Sequence, residues 1–222
     1  MNRKDQTNLD PRGKTTLLVI RHGQTVWNVQ QRYQGHGDSP LTEEGRNQAE
    51  ALGRRMRRIH FDALISSDLG RTLETARIIA RHTGHDISMD SRLRERNFGV
   101  LEGLTAEEIN SRFPKVYDKL HANDPDYVIP EGESLRQHYG RNIQFIETCT
   151  AENAGKTIAL VAHGGVLDSI LRYITGFPLD HPRCFTAANT SLNIFSHGLF
   201  YGTCRWVIET WGDVSHLNAD SH

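Results

Sequence analysis

Cysteine is scarce in this chain: Cys149, Cys184 and Cys204 are the only three among 222 residues. An odd, widely spaced set without a CxxC pair argues against a disulfide framework and against a cysteine zinc site. Long apolar runs are also missing. Nothing approaches the roughly 20 residues needed to cross a bilayer, and the polar start Met1 to Lys14 has no signal-peptide core. No membrane partner is expected, and the cytoplasm is the expected location. Charge of one sign is lacking too, with a net charge of −1, so neither a general nucleic-acid binder nor an acidic tail is expected. There is no HExxH and no close His/Asp/Glu cluster, so no metal site is predicted. What remains is an ordinary composition, 37% hydrophobic and 24% charged, long enough for one domain with a real core.

The stretch Leu17-Leu18-Val19-Ile20-Arg21-His22-Gly23 stands out. Four consecutive apolar residues leave no solvent face, so the run reads as a strand buried on both sides. Its end delivers Arg21 and His22 to the edge of a sheet, where open α/β folds bind ligands. Gly23 permits a sharp turn or a close approach to a ligand. The arrangement recurs at Thr157 to Ala162, an apolar strand ending in His163-Gly164-Gly165. A helix is expected to follow over Val166 to Ile174, stopped by Gly176 and Pro178.

Between these strands the punctuation predicts further elements. Residues 1–14 read as a disordered leader. Gly13-Lys14-Thr15 resembles the end of a P-loop, but Asn8 stands where that motif needs a glycine, and a strand follows rather than a helix. Thr42 caps a helix opening with Glu43 and Glu44 and ending near Arg54 to Arg58, which suits the helix dipole. Ala63 to Ile65 is a short strand. It leads to a helix over Leu69 to Arg81 that carries Arg71 in its first turn. A cation there is unfavourable unless an anion shares the site. A third strand covers Asp86 to Met89, and a charged loop carries Glu95. Thr105 to Glu108 is a capping box, whereas Phe113 to Pro130 reads as irregular, so that 104–133 is expected to form a lid or excursion. Ser134 opens a helix with Tyr139, Ile143, Phe145 and Ile146 inward. Ser191 to Phe195 and Arg205 to Thr210 read as two late strands, joined in a hairpin around Gly198 and Gly202. Asn189-Thr190-Ser191 matches a glycosylation site, read as accidental without a secretory signal.

Two strand-end histidines, two arginines and a glutamate suit phosphoryl transfer without a metal. A neutral histidine attacks as nucleophile, and nearby arginines disfavour its protonation. Guanidinium forks match phosphate oxygens, and a carboxylic acid protonates the leaving alkoxide and later activates water. Each residue alone has a bland reading: a structural histidine, a surface arginine, a loop glutamate. The chemistry rests on the set.

Taken in order, the motifs resemble the histidine phosphatase superfamily, in its phosphoglycerate mutase-like branch. They are Arg21-His22-Gly23-Gln24-Thr25 with Trp27-Asn28, Arg32, Gln34-Gly35, Asp38 to Thr42, Gly45 and Gln48-Ala49. The series continues through Ser66 to Leu69, Arg71, Thr75-Ala76, Leu93, Glu95, Gly99, Glu102-Gly103 and Gly132 to Ser134. It closes with His163-Gly164-Gly165, Asp213 and His216-Leu217. The resemblance implies an α/β three-layer αβα sandwich with a mostly parallel central sheet, as a single domain over 15–217. It assigns His22 as the nucleophile that becomes phosphohistidine. Arg21, Arg71 and His163 hold the phosphoryl group, and Glu95 donates and accepts the proton. Asn28, Gln34, Gly35 and Gly164 are expected substrate or phosphate contacts. Gln24 stands where many members carry glutamate. No metal or organic cofactor is implied, and the partner is a small phosphorylated metabolite. The resemblance admits a homodimer, though no heptad or long apolar helix decides it. Gly164-Gly165-Val166 looks like the phosphatase form, so a metal-independent phosphomonoesterase is the expectation. A bisphosphoglycerate-dependent phosphoglycerate mutase is the alternative, and an inactive phospho-ligand binder is the alternative of another class.

Overall fold

The computed structural model describes residues 13–218, so the expected leader lies outside the described residues apart from Gly13 and Lys14. Strand β1 (Thr15–Arg21) is buried on both faces, as its run of apolar residues requires. Its side chains alternate between two cores. Leu17 and Val19 pack with Phe145, Ile146 and Cys149 of α6 (Leu135–Glu152) and Val166, Leu167 and Ile170 of α7 (Gly164–Thr175). Leu18 and Ile20 pack with Leu52 and Met56 of α2 (Glu43–Met56) and Ala76 and Ile79 of α3 (Gly70–Thr83). Each such side chain contributes about 1.5–3 kcal/mol by leaving water.

Among the described residues six strands form one sheet, in the order β3-β2-β4-β1-β5-β6. The others are β2 (Ala63–Ser66), β3 (Ile87–Met89), β4 (Thr157–Ala162), β5 (Leu192–Phe200) and β6 (Thr203–Asp213). The first four in that order run parallel, and β5 and β6 are antiparallel additions. With helix pairs on both faces this is the expected αβα sandwich. Strand β4 inserts between β1 and β2, and its register pairs Arg21 with Ala162. The next residues on the two chains, His22 and His163, therefore emerge side by side at the carboxyl ends.

The predicted caps hold. Thr42 accepts from the N–H of Gly45, while Thr105 and Ser134 each form a capping box. Other expectations need correction. Phe113 to Pro130 is not wholly irregular. Pro114, at a helix start where its missing N–H costs nothing, opens α5 (Pro114–His121) after α4 (Ala106–Arg112). Val116, Tyr117 and Leu120 of α5 then pack on a small core of Leu101, Ile109 and Ile129. Helix α7 begins at Gly164, not Val166, with His163 as its N-cap residue. The inward stripe of α6 is His138, Asn142, Phe145, Ile146 and Cys149, with Ile143 beside it, whereas Tyr139 is half-exposed. The hairpin turns at Tyr201-Gly202, both at positive φ, and Gly198 lies within β5. At Gly23 the close approach is to backbone: a Cβ there would stand 2.5 Å from the Gly45 carbonyl oxygen of α2.

Candidate active site

His22 follows β1 directly and is 3% exposed. Its Nδ1 lies 2.7 Å from the Gly23 carbonyl oxygen. A carbonyl only accepts, so Nδ1 carries the hydrogen and Nε2 keeps its lone pair. Burial, then the Arg71 and Arg21 guanidinium groups, push the His22 ring well below the ordinary imidazole range, against the Gly23 bond, which raises it. The His163 ring is 5.4 Å away, centroid to centroid. Burial, Arg71 and His22 hold it well below its ordinary value as well. Both rings are neutral at pH 7.

Arg71 is 1% exposed at the start of α3. Its terminal nitrogens donate to the carbonyls of Gly37 (3.0 Å) and Gly35 (2.8 Å), and its closest carboxylate oxygen is on Asp38, at 3.9 Å. Arg21 donates to the Ala187 carbonyl. Nε of Arg21, Nε of Arg71 and Nδ1 of His163 are buried with no hydrogen-bond partner in the protein. Buried polar nitrogens are nearly always satisfied. Two guanidinium donors beside one neutral imidazole, joined by Nδ1 of His163 in the tautomer whose Nε2 accepts from Ser67 Oγ, make a cradle suited to a tetrahedral oxyanion.

Glu95 enters from the loop after β3. It accepts the N–H groups of Arg96 (2.9 Å) and Gly165 (3.0 Å). Burial opposes its ionisation, but His138, these two N–H groups and Arg71 outweigh burial and hold its carboxyl below the usual carboxylate range. The free site therefore holds Glu95 ionised. A phosphoryl dianion entering beside it raises its proton affinity, because like charges disfavour each other.

The five residues assigned to chemistry thus come together. The four residues expected to contact substrate or phosphate line the same region through these bonds. Asn28 Oδ1 accepts from Thr25 and Asn189, and Gln34 Oε1 accepts from the Thr25 hydroxyl, so both oxygens hold the loop after β1. Gly35 supplies a carbonyl to Arg71. Gly164 opens α7, where a Cβ would lie 3.6 Å from Arg183 and 3.7 Å from Nε of Arg21. Sequence reasoning assigned no role to two motif residues, Ser67 and Glu102, and missed His138 altogether. Ser67 Oγ lies 3.0 Å from His163 Nε2, fixing that ring. The Glu102 carboxylate accepts from the N–H groups of His36 and Gly37, clamping the loop that anchors Arg71. His138 faces Glu95 from α6 with Nε2 3.8 Å from Oε1. Strand-end position signalled Ser67; nothing local signalled His138. Among the described residues no three His, Cys, Asp or Glu side chains converge as a metal site.

The family model described as the histidine phosphatase superfamily (branch 1) matches residues 17–214. The chain belongs to the histidine phosphatase superfamily. Over 210 residues it is 41% identical to the probable phosphoglycerate mutase GpmB of Escherichia coli, covering 91% of this chain and 95% of that one. Among solved structures, YhfR of Bacillus stearothermophilus superimposes with a TM-score of 0.81 at 36% identity, covering 91% of this chain and 99% of that one. A mycobacterial glucosyl-3-phosphoglycerate phosphatase, solved with VO3, gives 0.78 at 29% identity, covering 89% and 98%. As in that superfamily's name, the residue at the centre of this site is a histidine. Among the described residues no helix is long and apolar enough to cross a membrane.

Proposed function

We propose that this superfamily member is a cytoplasmic, metal-independent phosphomonoesterase for small phosphorylated metabolites, working through a phosphohistidine on His22. One observation carries the reading: three buried, unpartnered nitrogens, two of them guanidinium donors, surround a neutral histidine whose Nε2 lone pair is free. Arg21, Arg71 and His163 bind the phosphoryl oxygens. Nε2 of His22 attacks phosphorus as the ester P–O bond breaks, and Glu95 gives its proton to the departing alcohol. Water then attacks the phosphohistidine, the N–P bond breaks, and the proton of water returns to Glu95. Asn28, Gln34 and Gly35 hold the surrounding loop, and Gly164 leaves room beside the arginines. The 104–133 segment, packed on the loop that carries Glu95, acts as a lid over a single domain spanning 15–217.

The test is turnover of 4-nitrophenyl phosphate with a chelator present. The wild-type protein should release phosphate and trap label on His22, and His22→Ala should lose activity by at least about 10³-fold, the order expected for a covalent nucleophile. An active His22→Ala protein would refute the mechanism. Chelator-sensitive activity would point to a metal hydrolase instead, and phosphate binding without turnover would point to an inactive binder. The name of the Escherichia coli relative favours a second reading, a bisphosphoglycerate-dependent mutase. Monophosphoglycerate turned over with and without bisphosphoglycerate separates the two. Free phosphate without isomer supports the phosphatase; bisphosphate-dependent isomer formation supports the mutase.

A further inference from the structure

His138 lies in the first turn of α6, is 1% exposed, and its Nε2 has no hydrogen-bond partner. A buried polar atom left in that state is costly, and apolar residues would fill the stripe of α6 at less expense. The ring instead faces Glu95, with Nε2 3.8 Å from Oε1, so a small rotation of the carboxyl closes a hydrogen bond. The close approach depends on Gly165: a Cβ there would overlap Glu95 Oε1 and stand 2.9 Å from His138 Cε1.

Resting on the phosphatase reading above, we infer that His138 is a positioning residue that shares one proton with Glu95. In the free site the pair holds no proton. Entry of the phosphoryl dianion draws one in, and the imidazole gives it a second resting place next to the carboxyl oxygen. When the ester bond breaks, that proton passes from Glu95 to the alcohol oxygen; when water attacks, the pair recovers it. The pair therefore ends the cycle in the state in which it began the first bond cleavage.

The groups around the ring allow this and limit it. Glu95 and Glu133 favour the charged imidazole, whereas Arg141 and Arg96 oppose it, and burial opposes it most. Arg141 is held by Glu133 and by the carbonyls of Arg92, Arg94 and Glu95. Arg96 donates to the Glu133 and Tyr127 carbonyls. Across the site, His163 and Arg71 complete the charged and titratable surroundings. Neither cation bonds to Nε2, which leaves that atom to Glu95.

The leaving group tests the inference. An alkyl phosphate needs a proton on its departing oxygen, and 4-nitrophenyl phosphate barely does. His138→Gln keeps an N–H donor but cannot carry the proton. It should lower kcat/KM on glycerol phosphate, which reports the ester-cleavage step, about 10-fold, part of the roughly 10²–10⁴-fold that general acids contribute. Its kcat/KM on 4-nitrophenyl phosphate should change less than about twofold. The alkaline limb of the glycerol phosphate profile should move to lower pH. His138→Leu, which also removes the donor, should show the same split between substrates. An equal loss on both esters with an unmoved pH limb, or no change on either, would overturn the inference and leave His138 as packing. Failure of wild-type protein to form phosphohistidine would instead refute the underlying phosphatase reading.

Discussion

Arg71 is held almost wholly by backbone: the carbonyls of Gly35 and Gly37 take its terminal nitrogens, while the Asp38 carboxylate only approaches it. Burying a cation that way carries a desolvation cost that no full ion pair offsets, and burial pulls the guanidinium below its ordinary range. The arrangement makes physical sense when an anion completes it. Inorganic phosphate or vanadate should therefore raise the melting temperature of the wild-type protein. At 100 times its Kd a ligand adds about 2.7 kcal/mol. Arg71→Lys keeps the charge but loses the planar fork that reaches both carbonyls and the phosphoryl oxygens. It should lose most of that ligand-induced shift in a melting scan, and lower kcat/KM by roughly 10²-fold, as removal of one oxyanion donor does.

Helix α2 and the end of β1 meet through glycines. A Cβ on Gly23 would press on the Gly45 carbonyl, and a Cβ on Gly45 would overlap the backbone of Gln24. Both obstacles are main chain, which cannot swing aside as a side chain can. Gly45→Ala should therefore cost about 1–3 kcal/mol, the usual range for overpacking, and should slow turnover because the displaced backbone flanks His22. Gly140 makes the contrast. It sits exposed inside α6, where an added Cβ meets nothing within 4 Å. Gly140→Ala should stabilise the protein by about 0.5–1 kcal/mol by restricting the unfolded chain. Urea denaturation of the two variants against wild type measures both signs.

Buried neutral histidines make global stability depend on pH. His138 and His216 each fall from 6.5 to about 4, in both cases mainly through burial, and His22 and His163 are lowered in the same direction. For such groups the unfolded chain binds more protons than the folded one. Their contribution is full above 6.5 and is lost as pH falls through 6.5 toward the folded value. The unfolding free energy should accordingly drop between pH 6.5 and 4, with each of the first two residues worth up to about 3 kcal/mol. His138→Leu should flatten that drop in equilibrium denaturation at pH 7 and 4.5. An unchanged slope would mean that the ring is already charged in the folded protein.

Much of this was local and therefore legible. The apolar runs of β1 and β4, the Thr42, Thr105 and Ser134 caps, and the strand-end placement of Arg21, His22 and His163 depend on neighbours within a few positions. Arg71 stood out as a cation at a helix start, though only beside the two histidines and Glu95 did that placement point to an anion site. What stayed hidden was non-local. Pro114 to His121 carries only a few apolar residues, and it becomes a helix because Leu101, Ile109 and Ile129 cover them. The α6 pattern favours Tyr139 as inward on hydrophobicity, yet His138 turns inward because Glu95 and Gly165 form a polar niche for it. Local pattern can set which residues end a strand, since burial and backbone preference act within a few residues. Only the insertion of β4 beside β1 brings two histidines, two arginines and Glu95 into one cradle, because register between distant segments is settled by the packing of the whole sheet.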